Sequence, residues 1–185
     1  GTMCWRGSDL SACDEWTHSF SDAEVDELET AVSATVHKPI EDITPDTFPL
    51  PSLAGVLDLV RNELIDGRGF VVLRGLPVRR WSHEVTTRAY WGIGRYIGYP
   101  VSQNPEGHLL GHVKDIGGDF NDLQSRGGYR SRARLPFHTD VAADVVGLLC
   151  LRTAKTGGHS SVVSLAAVYN QMLEQRPDLV SELCA

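Results

Sequence analysis

Apolar side chains recur at helical spacing in five stretches of the chain. The first follows Ser21, where the residues S-D-A-E have the form of a capping box. Ser52 and Ser164 are each placed to cap a later stretch, and Pro177 stands at the start of the last one. The pattern predicts helices over residues 22–35, 52–66, 82–97 and 165–175, and a further helix that begins at Pro177.

Short apolar runs predict strands. The run FVVLRG, residues 70–75, is bounded by glycines and fits a strand packed on both faces. Further strands are expected at residues 109–116, 145–154 and 160–163, with a tight turn at Gly157 and Gly158.

The segments between these elements are predicted to be irregular. Residues 1–20 show no clear period and suggest a loose arm, and four prolines in residues 39–51 indicate a connector. The polar residues 117–134 form a long segment that is either a lid over a site or an ordinary surface loop.

Composition narrows the class of protein. With 185 residues, 42% hydrophobic and 22% charged, the chain suits one globular domain or part of a larger one. The net charge of −7 argues against nucleic-acid or anionic-membrane partners, and no apolar run approaches the roughly 20 residues of a membrane span. The four cysteines show no metal-binding spacing, and Cys150 is expected to be a buried thiol. Together with the absence of a secretion signal, this predicts a reduced, cytoplasmic protein.

The stretch LPFHTD, residues 135–140, carries the candidate chemistry. On an extended strand, residues two apart face the same side, so His138 and Asp140 would present an imidazole and a carboxylate together. Two histidines and one carboxylate on one face of an octahedral ion form the site of non-haem Fe(II) oxygenases. The alternative is a strand end with a partly exposed histidine and a turn-forming aspartate. A chain with 7 histidines and 24 acidic residues is expected to contain about one such pair by chance.

The order of several motifs along the chain indicates a protein family more specifically than His138 and Asp140 alone. FVVLRG is followed by FHTD, an apolar run, a glycine pair before a hydroxyl residue, and a helical pattern. From about Gly67 onward this resembles the taurine dioxygenase/TfdA-like family of Fe(II)- and 2-oxoglutarate-dependent oxygenases. The resemblance implies an α+β fold, a double-stranded β-helix (jelly roll, clavaminate synthase-like) with flanking helices. Residues 1–50 would form an N-terminal arm and helix, and residues 51–185 an oxygenase domain that lacks the C-terminal half of its barrel.

The same resemblance implies a site. His138 and Asp140 would bind Fe(II), and Ser160 would contact the co-substrate 2-oxoglutarate, unless it is only a turn serine. Asn104 and Tyr129 would reach the substrate or co-substrate, unless they are solvent-facing loop residues. The enzyme would use O2 to hydroxylate or oxidise a small organic molecule.

Two features of the family, a second histidine ligand and an arginine for 2-oxoglutarate, are expected beyond the last residue of this sequence. The incomplete chain would then have little or no activity. A second hypothesis is a truncated, non-catalytic oxygenase fold that acts as a binding or dimerising module, for example as a homo-oligomer. A third is a metal-independent binding domain in which the HTD triplet is coincidental.

Overall fold

The computed structural model describes residues 2–104, 106–117, 131, 133–140 and 143–185. Backbone contacts divide the chain into two compact units, one of residues 1–98 with 148–185 and one of residues 99–147. Among the described residues the helices are α1 (Gly7–Ser11), α2 (Asp22–Thr35), α3 (Leu53–Ile65), α4 (His83–Ile97), α5 (Leu165–Gln175) and α6 (Pro177–Leu183), the strands are β1 (Thr17–Ser19) and β2 (Val72–Arg74), and a 3-10 turn spans Ile40–Asp42. These elements all lie in the first unit.

The five predicted helices are confirmed as α2 to α6. Two of them begin at the predicted caps Ser21 and Ser164, and a third begins at Ser82, which was predicted as its first helical residue. The Ser21 hydroxyl accepts a hydrogen bond from the Glu24 N–H at 3.3 Å, and the Glu24 carboxylate accepts one from the Ser21 N–H at 2.8 Å. Ser82 and Ser164 each accept a hydrogen bond from the N–H of the third helical residue. Each cap satisfies a backbone donor that a helix start leaves without a partner.

Helix α3 is capped by a different group from the one expected. Ser52 makes no side-chain capping bond. A carboxylate oxygen of Glu27, on α2, accepts hydrogen bonds from the N–H groups of Ser52 at 3.0 Å and Leu53 at 3.2 Å. An acidic group is favoured at the positive end of the helix dipole, so this contact also ties α2 to α3.

The core of the first unit lies where α2 and α3 pack against α4. The proline-containing connector contributes to this core, since Ile43 and Phe48 are completely buried and Leu50 nearly so. The Tyr96 hydroxyl donates a hydrogen bond to the Phe48 carbonyl at 2.9 Å and accepts one from the Leu50 N–H at 3.1 Å. Gly92 lies directly against Phe48, because a Cβ added there would be 2.4 Å from the ring. The connector is therefore an integral part of the packing.

The predicted strand in residues 70–75 is confirmed as β2, but its partner was not anticipated. β1 pairs with β2 in parallel, with Thr17 opposite Val72, so the prediction of a loose N-terminal arm is wrong. Two tryptophans pack on the ring of Phe70, Trp5 at 5.2 Å and Trp16 at 5.9 Å between centroids. The short β1 carries no apolar alternation, so only its pairing identifies it as a strand.

The strands predicted at residues 109–116, 145–154 and 160–163 are not formed in the described part of the chain. A strand requires a neighbouring strand for its backbone hydrogen bonds, and apolar alternation alone supplies none. Side chains expected in the core are instead exposed, including Leu148 at 76% and Val162 at 58%. Cys150 is also exposed, which corrects the prediction of a buried thiol. The double-stranded β-helix stays a prediction drawn from the family resemblance.

The capping box of α2 gives the stability a pH dependence. Partial burial raises the pKa of the Glu24 carboxyl, but hydrogen bonds from Ser21 and the nearby His18 imidazole lower it by more, so the pKa lies below its ordinary value of 4.5. A carboxyl whose pKa is lowered by folding stabilises the folded state above its unfolded pKa, and this stabilisation is lost as the pH falls through the folded pKa.

We therefore expect Glu24→Gln to lower the free energy of unfolding most above the ordinary pKa of 4.5, with a difference from the wild type that shrinks as the pH falls below that value. Urea unfolding of both proteins across this range measures the difference. A difference that stays constant with pH would show that the charge of Glu24 has no part in the effect.

Candidate metal-binding site

His138 and Asp140 lie in the unit of residues 99–147, in a segment without regular secondary structure. Both side chains are exposed. The strand that was predicted here is not formed, so strand alternation does not set the directions of the two side chains in this structure. The pair offers one imidazole nitrogen donor and one carboxylate, which are ligand types that iron accepts.

The His138 ring has a defined partner on one side. Its Nδ1 atom lies 2.8 Å from the carbonyl oxygen of Pro136. Histidines that bind metals commonly make such a bond from the ring nitrogen that does not face the metal. The chemistry of this donor set therefore fits a metal ligand at His138.

The described residues do not complete a three-ligand site. No group of three or more His, Cys, Asp or Glu side chains in that part of the chain is arranged to hold a metal ion. His108 and His112 lie in the same unit as His138 and are exposed. The pair at 138 and 140 thus accounts for at most two protein ligands of a facial triad.

Ser160 lies in the other unit, exposed, two residues after a glycine pair. Gly157 and Gly158 have φ of 71° and 69°, a left-handed conformation that side chains disfavour, as the predicted tight turn requires. Contact between the Ser160 hydroxyl and 2-oxoglutarate stays a prediction.

Asn104 closes a short loop onto His108. Its Oδ1 atom accepts a hydrogen bond from the His108 N–H at 3.0 Å, and its Nδ2 atom lies 2.8 Å from His108 Nδ1. Both polar groups of the amide are thus engaged within the loop, which supports the alternative of a loop residue. A substrate contact by Asn104 stays a prediction, and Tyr129 lies outside the described residues, as does most of the predicted lid.

A surface depression lined by Ile40, His83, Glu84, Thr87 and Arg88 contains none of the predicted site residues. The Arg88 guanidinium donates hydrogen bonds to the carbonyls of Thr35 at 2.9 Å and Lys38 at 3.0 Å. Because the Thr35 carbonyl lies at the end of α2 and the Lys38 carbonyl three residues after it, Arg88 has a structural role there.

Sequence reasoning did not identify the Pro136 carbonyl as part of the site. A backbone oxygen carries no signal in residue type, and its approach to the ring depends on the local course of the chain. The only available hint was the position of a proline two residues before the histidine.

No helix in the described ranges combines the length and the apolar character needed to cross a bilayer.

Comparison with known proteins identifies relatives for nearly the whole chain. A taurine hydroxylase-like protein, SAT17, of Stachybotrys chartarum is 32% identical over 189 aligned residues, which cover 98% of this chain and 49% of that protein. The FR-33289 synthase of Streptomyces rubellomurinus is 27% identical over 183 residues, covering 97% of this chain and 53% of the synthase. The chain therefore spans about half the length of the curated relatives it matches.

The family profile described as "Taurine catabolism dioxygenase TauD, TfdA family" matches residues 37–185. The match begins thirty residues before Gly67, the start of the resemblance in the sequence motifs, and it includes the connector and helices α3 and α4. It also includes the HTD triplet. The chain belongs to the TauD, TfdA family of dioxygenases.

Proposed function

We propose that this chain contributes the first part of the iron site of an Fe(II)- and 2-oxoglutarate-dependent dioxygenase that oxidises a small organic substrate with O2. The observation that carries the proposal is the HTD triplet inside the family match, with both candidate ligands exposed. The donor types suit Fe(II), and the Pro136 carbonyl lies against the ring nitrogen of His138.

Each site residue has a stated role in this proposal. His138 and Asp140 hold the metal, and the Ser160 hydroxyl contacts the co-substrate. When bound, Fe(II) and 2-oxoglutarate supply the oxidising chemistry, coupled to decarboxylation of the co-substrate. Asn104 and Tyr129 contact the substrate, which for Asn104 requires its amide to exchange His108 for another partner.

The missing ligand has a consequence for this chain. A facial triad needs a second histidine, and after Asp140 the sequence contains only His159. Because the chain spans about half the length of the curated relatives it matches, we propose that the second histidine and the arginine for 2-oxoglutarate come from residues outside this sequence. Metal binding by residues 1–185 is then weak but dependent on the co-substrate, because chelation by 2-oxoglutarate adds ligands that the protein lacks.

The names of the two relatives support the reaction class only in outline. One relative is named as taurine hydroxylase-like and another as a synthase. From these names we carry to this chain the oxidation of a small organic molecule, and no particular substrate.

The test is a titration of the metal-free chain with Mn(II), an oxygen-stable substitute for Fe(II), with and without 2-oxoglutarate. We expect detectable binding that becomes tighter when 2-oxoglutarate is present, as followed by calorimetry or Mn(II) spin resonance. Binding that 2-oxoglutarate leaves unchanged would contradict the proposal, as would a complete absence of binding at millimolar metal.

A second candidate is a non-catalytic binding or dimerising module with an oxygenase fold. It is favoured by helix α5, which has no buried residue although its apolar side chains recur at helical spacing. Leu165 is 62% exposed, Tyr169 49% and Leu173 47%. This candidate predicts feeble metal binding that 2-oxoglutarate does not change, together with a defined oligomer in light scattering. A metal-independent binding domain, in contrast, predicts no metal effect at all.

A further inference from the structure

The two ring nitrogens of His138 have different surroundings. Nδ1 of His138 lies 2.8 Å from the Pro136 carbonyl oxygen, within one short stretch of chain. A carbonyl oxygen accepts hydrogen bonds and cannot donate them, so the hydrogen of this bond belongs to Nδ1. In a neutral imidazole only one ring nitrogen carries a hydrogen. Nε2 of His138 therefore keeps its lone pair.

His108 shows the opposite arrangement in the same unit. The backbone N–H of His108 donates to Asn104 Oδ1 at 3.0 Å, which fixes the orientation of that amide. The Nδ2 group of Asn104, which can only donate, then lies 2.8 Å from His108 Nδ1. His108 Nδ1 is therefore an acceptor, and the hydrogen of its neutral ring lies on Nε2. The two histidines are thus expected in opposite tautomers.

We infer that the Pro136 carbonyl is a positioning group that selects the Nδ1–H tautomer of His138 and so presents Nε2 to the metal. This inference rests on the proposed function for the identity of the ligand. A metal binds the nitrogen that lacks a hydrogen, and the hydrogen bond made by the other nitrogen decides which one that is. Pro136 holds its own φ near −65°, so the carbonyl two residues before the ligand can reorient mainly through ψ of Pro136, which leaves it fewer orientations than another residue would allow. The ring is prepared before any metal arrives, so binding does not need to change the tautomer.

The test uses nitrogen-15 NMR of the metal-free chain, uniformly labelled, at about pH 8.5, where imidazole side chains are neutral. Long-range correlations between ring carbon protons and ring nitrogens distinguish a protonated nitrogen from an unprotonated one. We expect His138 to show a protonated Nδ1 and an unprotonated Nε2, and His108 to show the reverse. If His138 has the same Nε2–H tautomer as His108, the inference is wrong.

Two variants separate positioning from general folding. Pro136→Gly removes the restriction on φ and is expected to shift His138 towards a mixture of tautomers and to weaken Mn(II) binding by about tenfold, the lower end of the range for loss of an outer partner. Asn104→Ala is the matched control for the NMR measurement on the metal-free chain, in which the His108 ring signals should change and the tautomer of His138 should not. An unchanged His138 tautomer in a folded Pro136→Gly variant would overturn the role of Pro136. If that variant does not fold, the wild-type spectrum alone still shows which ring nitrogen of His138 carries the hydrogen.

The tautomer of His138 is measured in the metal-free chain, and metal binding is measured separately. The two measurements therefore distinguish a failure of this inference from a failure of the proposed function. An Nε2–H tautomer at His138 together with binding of Mn(II) in the presence of 2-oxoglutarate would contradict this inference and leave the proposed function in place. An Nδ1–H tautomer without any metal binding would contradict the proposed function and leave the selection by Pro136 in place.

Discussion

Replacing His138 with alanine is expected to weaken Mn(II) binding in the presence of 2-oxoglutarate by about 100-fold or more. Loss of an outer-shell partner alone typically costs 10- to 100-fold. Removing one of two protein ligands should cost at least the upper part of that range, because only the Asp140 carboxylate would remain. The measurement is the dissociation constant for Mn(II) at fixed, saturating 2-oxoglutarate.

His159→Ala is the matched control for this prediction. His159 is also exposed, and it stands beside Ser160, but the proposed site gives it no role as a ligand. Its replacement should change the dissociation constant by less than about twofold. Equal losses in the two variants would show that Mn(II) binds histidines without selectivity, and unchanged binding in His138→Ala would remove His138 from the site.

Phe48→Ala is expected to lower the free energy of unfolding by about 3–5 kcal/mol, the usual cost of deleting a buried aromatic ring. Phe48 is completely buried, and its carbonyl accepts the hydrogen bond of the Tyr96 hydroxyl. Typical domains are stable by about 5–15 kcal/mol, so this single loss is a large part of the total. Urea unfolding followed by far-UV circular dichroism measures it.

The contact with Gly92 sharpens this test. Gly92→Ala alone should cost about 1–3 kcal/mol, because its Cβ would be 2.4 Å from the Phe48 ring. In the Phe48→Ala background the same change should cost nothing, since the ring that obstructs the methyl group is gone. Gly94→Ala is the control, since its added Cβ would have no described atom within 4 Å apart from its chain neighbours and the local helix backbone. It should stabilise α4 by about 0.5–1 kcal/mol. Additive effects at positions 48 and 92 would show that the two residues do not touch in solution.

Local signals account for the part of the fold that was predicted correctly. The bounds of α2 and α5 follow from the apolar period together with serine caps that bond within the same helix turn. Such interactions join residues three or four positions apart, so they are visible in a short stretch of sequence.

The features that were missed depend on residues far apart in the chain. β1 is a strand because residue 72 lies opposite residue 17, and α3 is capped by a carboxylate from α2. The connector is buried because Phe48 fits against Gly92. A period of polar and apolar residues contains no information about these partners. The strands predicted after residue 108 are not formed in the described residues for the same reason. An apolar run without a neighbouring strand has no partner for its backbone hydrogen bonds.

The candidate site was predictable only in residue type. The HTD triplet and the order of motifs around it identify His138 and Asp140 as ligands to be tested, and the family match supports that choice. The strand geometry from which their common face was deduced is not present, and the contact with the Pro136 carbonyl was not foreseen. Both depend on backbone conformation, which residue types restrict only loosely outside regular elements.

The parallel pairing of β1 with β2 has a consequence for the order in which the protein folds during its synthesis. The partner of the strand at residues 17–19 emerges from the ribosome only after residues 72–74 have been translated. Helices α2 and α3 lie between these strands, and their local contacts are available much earlier. In nascent chains the N-terminal segment with its two tryptophans therefore stays unpaired until β2 has been translated, and during that time it is accessible to chaperones and proteases.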